Sequence, residues 1–302
     1  MNLDEQRLPL AIHHATSSLA EPLSSTPVEG ALAVDLTPAQ QRALDALSTA
    51  GIAIMPFDEL IDDEALWQEL RAEMDAFVAS ARATFAESGK GGKKKFLIRR
   101  YERGKSKLPL EPAVLPSDGP WLRYAAGDTL LDIVNSFRGT MTKLVDFDQW
   151  YTLPVGEDGD RVASQQWHRD PEDQHVVKVF LYFSDVDEDA GPFEYIPESA
   201  EGAKYGHLWA WGKESPRYPP TEELEQAIPA SERVAAMGPT GTLVICDTSG
   251  FHRGGYARST PRILATHTYV DRKITPDRPE RRKFHVDWRD NELSEQSRFA
   301  LT

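Results

Sequence analysis

A chain of 302 residues with 40% hydrophobic content is long enough for one substantial core, and no apolar run approaches the ~20 residues that a membrane helix needs. The formal net charge of −14 excludes a general nucleic-acid binder, because neutralising phosphates requires a basic surface. The lone cysteine, Cys246, lies in an apolar run and excludes an internal disulfide; with no basic start and apolar stretch of the secretory kind, a cytoplasmic location is expected.

Residues 1–34, rich in Ser, Pro, Ala and Glu, predict a poorly ordered arm, and an adjacent pair such as His13 and His14 on such a segment makes a poor metal site. Thr37-Pro38 reads as an N-cap followed by a first-turn proline, with a helix over 39–50 ended by Gly51. A short strand over 52–57 comes next. Asp62 or Asp63 then caps a helix to about Glu87, whose apolar stripe Leu66, Leu70, Met74, Phe77 and Ala81 predicts packing against a sheet.

Between Lys90 and Lys107 nine Lys and Arg residues are opposed only by Glu102. A solvated loop and edge strand explains them, since lysines discourage edge pairing; the alternative is a flap, hinged by glycines 89, 91 and 92, that draws in an anionic substrate. A strand over 96–101 and a helix over 128–137 follow. The strand over 143–153 places Phe147, Gln149 and Tyr151 on one face by period two.

In Gln165-Gln166-Trp167-His168-Arg169-Asp170 a His and a carboxylate stand two residues apart, a spacing that on a strand points both to one side. A further imidazole from a distant strand completes a 2-His-1-carboxylate face, which holds one side of an octahedral Fe(II) and leaves the other open. His252, in Asp247-Thr-Ser-Gly-Phe-His-Arg-Gly-Gly255, is the candidate. Ten residues on, Arg262 can grip a carboxylate through two parallel hydrogen bonds.

The run 176–183 is apolar nearly throughout, as for a strand covered on both faces; Lys178 within it is expected to snorkel to the sheet margin. A strand over 192–197 precedes an irregular insert over 198–234 with Trp209, Trp211, Tyr218 and a helix capped by Thr221, a placement suited to covering a barrel mouth and setting specificity. Strands over 241–247 and 262–270 close the series. The last carries Arg262, Leu264, Thr266 and Thr268 on one face and His267, read as a satisfied structural histidine, on the other. The tail 271–302, with Trp288 and Phe299, is expected to fold back over the barrel.

The order H-x-D, a long gap, then His with an Arg ten residues later resembles the phytanoyl-CoA dioxygenase family of Fe(II)- and 2-oxoglutarate-dependent oxygenases. The likeness runs from about Asp35 to Val270 and is strongest in Trp167–Pro171, Val177–Pro192 and Gly241–Arg262. It implies a mainly β fold with flanking α, a double-stranded β-helix (jelly-roll, cupin-like) barrel with N-terminal helices packed on its outside. The expected single domain spans 35–302, with helical support and basic flap over 35–140, barrel core over 141–270 and tail over 271–302.

The resemblance further implies that His168, Asp170 and His252 hold Fe(II), that Arg262 neutralises the far carboxylate of 2-oxoglutarate, and that O2 completes the site. Hydroxylation of a small molecule with release of succinate and CO2 is then expected, and Asp170 favours it because related halogenases replace that carboxylate with Gly or Ala. Gln149 and Tyr151 are co-substrate candidates, as are Gln165 and Gln166, of which the sequence leaves the inward one open. Two departures stand out: Gly254 where the family often has Ser, and Leu264 in place of a second Ser, which leaves Tyr151 and Thr266 as hydroxyl donors. Arg258 is the alternative to Arg262. The competing functions are a cupin-type dioxygenase or isomerase without 2-oxoglutarate, and a non-catalytic binding or sensing barrel. No nucleic-acid or membrane partner is expected, and an anionic small molecule is favoured if the basic flap belongs to the site.

Overall fold

A computed structural model of the chain describes residues 34–88, 97–99, 113–154, 156, 161, 163–170, 175–209, 218–271 and 282–302. The expected N-terminal arm, most of the basic flap and Trp211 lie outside the described residues.

Helix α1 (Pro38–Ala50) starts on Thr37, whose side chain accepts from Gln40 N while the Gln40 side chain accepts from Thr37 N, and ends on Gly51 at φ 78. This reciprocal pairing satisfies two donors that a helix start leaves open. Strand β1 (Ile52–Pro56) and the short α2 (Phe57–Leu60) lead to α3 (Glu64–Ser88), where Asp63 Oδ1 accepts from Leu66 N as the cap. Its expected stripe is buried at Leu66, Leu70, Met74 and Ala81.

Strands β2 (Leu97–Arg99) and β3 (Ala113–Pro116), helices α4 (Pro120–Ala125) and α5 (Asp128–Arg138), and strands β4 (Thr142–Thr152), β5 (Val176–Tyr182) and β6 (Phe193–Tyr195) follow. After α6 (Thr221–Ala227) come β7 (Val234–Ala236), β8 (Thr242–Asp247), β9 (His252–Arg253), β10 (Arg262–Asp271), β11 (Phe284–Asp287) and α7 (Glu295–Leu301). Thr221 is the first residue of α6 and not its cap; Pro220 holds that position without a side-chain bond.

Six strands form one sheet in the order β1-β8-β5-β10-β4-β2, three form a smaller one, β7-β6-β9, and β11 pairs with β3. The main core joins Leu47 of α1, Leu70 and Met74 of α3, and Leu130 and Ile133 of α5 to Val177, Val179, Leu181, Leu243 and Ile245 on one face of the large sheet. A second cluster on its other face includes Phe180, Tyr182, Val244 and Leu264, together with Phe193 and Tyr195 of the small sheet. Each central strand therefore has apolar residues on both sides, which explains why β5 and β8 lack a polar alternation.

Beyond residue 281 the tail returns to the large sheet, where Lys283 N donates to Val145 O and the Lys283 side chain reaches Asp146 at the cavity wall. Helix α7 packs against α5 and β4, with Ser297 Oγ donating to Ala126 O and Gln296 to Asp132, while Trp288 stays exposed.

Candidate metal centre

The segment carrying His168 is not a ladder strand. His168 and His252 face each other in an isolated antiparallel bridge, each backbone N–H donating to the other's carbonyl at 3.0 Å, and Asp170 N donates to Thr248 O at 3.0 Å. The two-residue spacing nevertheless brings His168 and Asp170 together with His252: one ligand atom from each lies within 4.8 Å of the others, and all three residues are buried. The imidazole centroids stand 4.2 Å apart. His252 Nε2 is 3.5 Å from Asp170 Oδ2 and His168 Nε2 is 3.9 Å from Oδ1.

Backbone carbonyls set both tautomers. His168 Nδ1 lies 2.8 Å from Gln166 O and His252 Nδ1 lies 3.0 Å from Gly250 O. A carbonyl only accepts, so each Nδ1 carries the proton and each Nε2 lone pair is turned toward Asp170, the arrangement metal-binding imidazoles adopt. Burial, reinforced by His252, drops the pKa of His168 to about 3. Burial alone would raise that of Asp170, but Lys178 and His252 outweigh it and hold the carboxyl well below its usual range. Two imidazole nitrogens and one carboxylate are the donor set that suits Fe(II).

The two candidate histidines also share a frame. Each occupies an aromatic-His-Arg tripeptide, Trp167-His168-Arg169 and Phe251-His252-Arg253. Because the histidines are directly opposed, the antiparallel bridge crosses each aromatic onto the other tripeptide's arginine: Arg253 lies 4.2 Å over the Trp167 ring and Arg169 lies 4.0 Å over Phe251. Arg253 also binds Glu194 and Glu225. Arg169 donates to the carbonyls of Ser199, Gly206, Leu208 and Trp209, tying the start of the insert to the candidate metal-binding segment. The repeated tripeptide was a signal in the sequence that motif reading passed over.

His168, Asp170 and His252 open into a cavity of about 220 Å³. On β4 its wall is Asp146, Asp148, Trp150 and Thr152, and on β10 it is Arg262, Leu264, Thr266 and Thr268. Gln149 and Tyr151 thus stand on the other face of β4 and do not line the cavity; Tyr151 instead accepts from Arg82 Nε of α3 at 3.4 Å. The pattern of β4 misleads because both faces carry polar residues, so period two alone does not reveal which faces inward. Of the glutamine pair, Gln165 lines the cavity, whereas Gln166 donates to Arg161 O.

Arg262 is buried, lines the cavity, and has Nε and Nη1 without hydrogen-bond partners. Unused N–H donors on a buried guanidinium suit a carboxylate, and burying such a charge without its anion is costly. Arg258, by contrast, is on the surface beside Asp189. Gly254 leaves room near this guanidinium: an added Cβ would sit 3.9 Å from Arg262 Nη2, with Ser164 O at 3.4 Å. At Gly255 a Cβ would fall 1.9 Å from Gly191 O, so glycine is required there.

Lys178 does not reach the sheet margin. Its side chain lines the cavity and its ammonium lies 2.7 Å from Asp170 Oδ2. His267 is on the opposite face of β10, stacked on Phe147 and edge-on to Tyr124; neither ring nitrogen has a hydrogen-bond partner, so it is packed rather than satisfied.

Comparison with known proteins places these residues in context. The family model for phytanoyl-CoA dioxygenase matches residues 55–262, a span that includes both histidines, Asp170 and Arg262. No curated protein matches the chain significantly. Among solved structures, EctD from S. alaskensis with bound Fe has 18% identity and a TM-score of 0.52 over 80% of this chain and 79% of its own. EctD with 2-oxoglutarate and 5-hydroxyectoine gives 17% and 0.51, covering 82% of each chain. AviO1 from Streptomyces viridochromogenes Tue57 gives 15% and 0.50 over 78% of this chain and 97% of its own. At these identities the likeness is one of fold.

Proposed function

Since the chain belongs to the phytanoyl-CoA dioxygenase family, we propose that it is an Fe(II)- and 2-oxoglutarate-dependent oxygenase that hydroxylates a small molecule. The two facing sheets would form the double-stranded β-helix of that family, with the N-terminal helices on its outside. The observation that carries the function is the single cavity that gathers His168, Asp170, His252 and a buried Arg262 with unused donors. That EctD is seen with Fe and with 2-oxoglutarate supports the same pairing here.

His168 Nε2, His252 Nε2 and one Asp170 oxygen would hold the metal, while Arg262 receives the far carboxylate of 2-oxoglutarate by a charge-assisted fork. Bound together, Fe(II), 2-oxoglutarate and O2 supply the oxidation of a substrate C–H bond to C–OH with release of succinate and CO2. The residues of this chain position and shield that chemistry. Phe180, Phe193 and Leu264 line the cavity and exclude water around the ligands. Lys178 holds Asp170 Oδ2, which would leave the other oxygen for the metal.

The test is Fe(II)-dependent succinate formation from 2-oxoglutarate during a screen of small-molecule substrates. Wild type should produce succinate and Asp170→Ala should not; undiminished turnover in the variant would remove Asp170 from the ligand set. Metal binding with no succinate under any substrate would point to a binding module instead.

A further inference from the structure

Resting on the metal site proposed above, we propose that Glu225 of α6 is a positioning residue for that site: one oxygen of its carboxylate ties together the two segments that carry the histidines. Glu225 Oε1 accepts from Trp167 Nε1 at 3.0 Å and from Arg253 Nη1 at 2.8 Å. Trp167 precedes His168 in the chain and Arg253 follows His252. Since Arg253 also lies over the Trp167 ring at 4.2 Å, indole, guanidinium and carboxylate each touch the other two.

This closed triangle distinguishes the two aromatic-His-Arg tripeptides. Both have a ring crossed by a guanidinium, but Trp167 carries a ring N–H donor and Phe251 carries none. A carboxylate can therefore join ring edge to guanidinium only at the tryptophan. Glu225 reaches that place from a helix 58 residues further along the chain.

The carboxylate is itself anchored. Arg233 Nη1 lies 3.4 Å from Glu225 Oε2, while Arg233 Nη2 donates to the carbonyls of Glu225 and Ile228 at 2.7 Å each. On the other side Arg253 Nη2 donates to Glu194 Oε2 at 2.6 Å, and Arg161 Nη2 to Glu194 Oε1 at 3.3 Å. Cations and carboxylates thus alternate from Arg161 through Glu194, Arg253 and Glu225 to Arg233, joining β6, β9 and α6. Burial alone would raise the pKa of Glu225, but the Trp167 indole, Arg253 and Arg233 outweigh it and lower the value. The group is therefore ionised at neutral pH and accepts from both neighbours.

The backbone joins the two histidine segments at a single bridge, flanked by the bonds from Asp170 N to Thr248 O and from Gly254 N to Ser164 O. So short a pairing leaves the angle between the segments to whatever packs on its outer side, and outer partners orient a metal's ligands. Here those partners are Trp167, Arg253 and Glu225. Helix α6 belongs to the insert, so a displacement of the insert reaches both histidines through one atom.

Co(II) titration of the full chain tests this, because the visible bands of Co(II) report the geometry of its ligands; urea midpoints are measured alongside. Glu225→Ala, which removes the shared acceptor, should weaken Co(II) binding about tenfold, the scale of losing an outer partner, and should shift the bands. Glu225→Gln keeps an acceptor oxygen and should stay within about twofold of wild type. Trp167→Phe removes the indole donor and keeps a ring. It should weaken binding several-fold by itself and not at all in combination with Glu225→Ala, since two partners of one link are not additive. A Glu225→Ala protein with a lower urea midpoint but unchanged affinity and bands would show a structural role only and overturn the proposal. So would a Glu225→Gln protein as weak as Glu225→Ala, or a Trp167→Phe effect that is the same with and without Glu225. Should Glu225→Ala not fold, Trp167→Phe decides alone, and wild-type affinity and bands in that variant overturn the proposal. Wild type that fails to bind Co(II) overturns the metal site together with this inference, whereas wild-type binding with unaffected variants overturns this inference alone.

Discussion

Lys178 illustrates how a single side chain changes meaning with register. A lysine within an apolar strand ordinarily carries its ammonium out to water, yet β5 turns this one inward, beside Asp170. Such outer partners fix a metal ligand's orientation, and removing one typically costs about 10-fold or more in metal affinity. Lys178→Met, which keeps the stem, should weaken binding of Fe(II) or Mn(II) by about that factor in calorimetry, and unchanged affinity would deny the lysine an orienting role. Arg262→Ala should raise the 2-oxoglutarate requirement far more than it alters metal binding, because the guanidinium lies at the other end of the cavity. Gly254 offers a gain instead of a loss. The added Cβ meets only ordinary contacts and lies 3.9 Å from Arg262 Nη2, so Gly254→Ser should be tolerated and should tighten 2-oxoglutarate binding several-fold, by about the 0.5–1.5 kcal/mol of one hydrogen bond. A variant that binds the co-substrate more weakly would place the carboxylate elsewhere.

At the scale of elements, the pairing of two short segments makes the site. Direct opposition of His168 and His252 in one antiparallel bridge sends both imidazoles inward and forces the flanking residues outward, where the crossed Arg253–Trp167 and Arg169–Phe251 contacts lock the bridge. Cation–π contacts of this kind contribute about 0.5–2 kcal/mol each. Arg169 also clasps the carbonyls of four insert residues, so the insert and the metal ligands should loosen together. Arg169→Met is expected to raise hydrogen exchange around Ser199 to Trp209 and to weaken metal binding in the same protein; exchange that rises with metal affinity intact would separate the two. The elements themselves were largely legible in the residues. Thr37-Pro38 and Gly51 framed the first helix, and the apolar run of β5 marked a doubly covered strand. The inner face of β4 was not legible, since Gln149 and Tyr151 are as polar as Asp146 and Asp148 and only pairing with β10 distinguishes the two sets.

For the whole molecule, the helices and the large sheet enclose one core in which a neutral histidine is trapped. Burial lowers His267 to about 3 from about 6.5 in an unfolded chain. Between those values the unfolded state binds a proton that the folded state refuses, so stability falls on acidification by up to about 1.4 kcal/mol per pH unit. His267→Phe should flatten this part of the acid dependence relative to wild type, as read from urea midpoints at about pH 7 and about pH 5; equal losses in both proteins would show that His267 protonates without penalty. The sequence by itself determined the family and singled out His168, Asp170, His252 and Arg262 as candidates, because these depend on residue type and on spacing along the chain. Only the tertiary structure decided that Lys178 pairs with Asp170, that Asp146 and Asp148 rather than Gln149 and Tyr151 face the cavity, and that each candidate histidine is braced by the other's neighbours. Those relations arise between strands distant in the chain, and a strand's alternation specifies two faces without specifying which of them the fold will enclose.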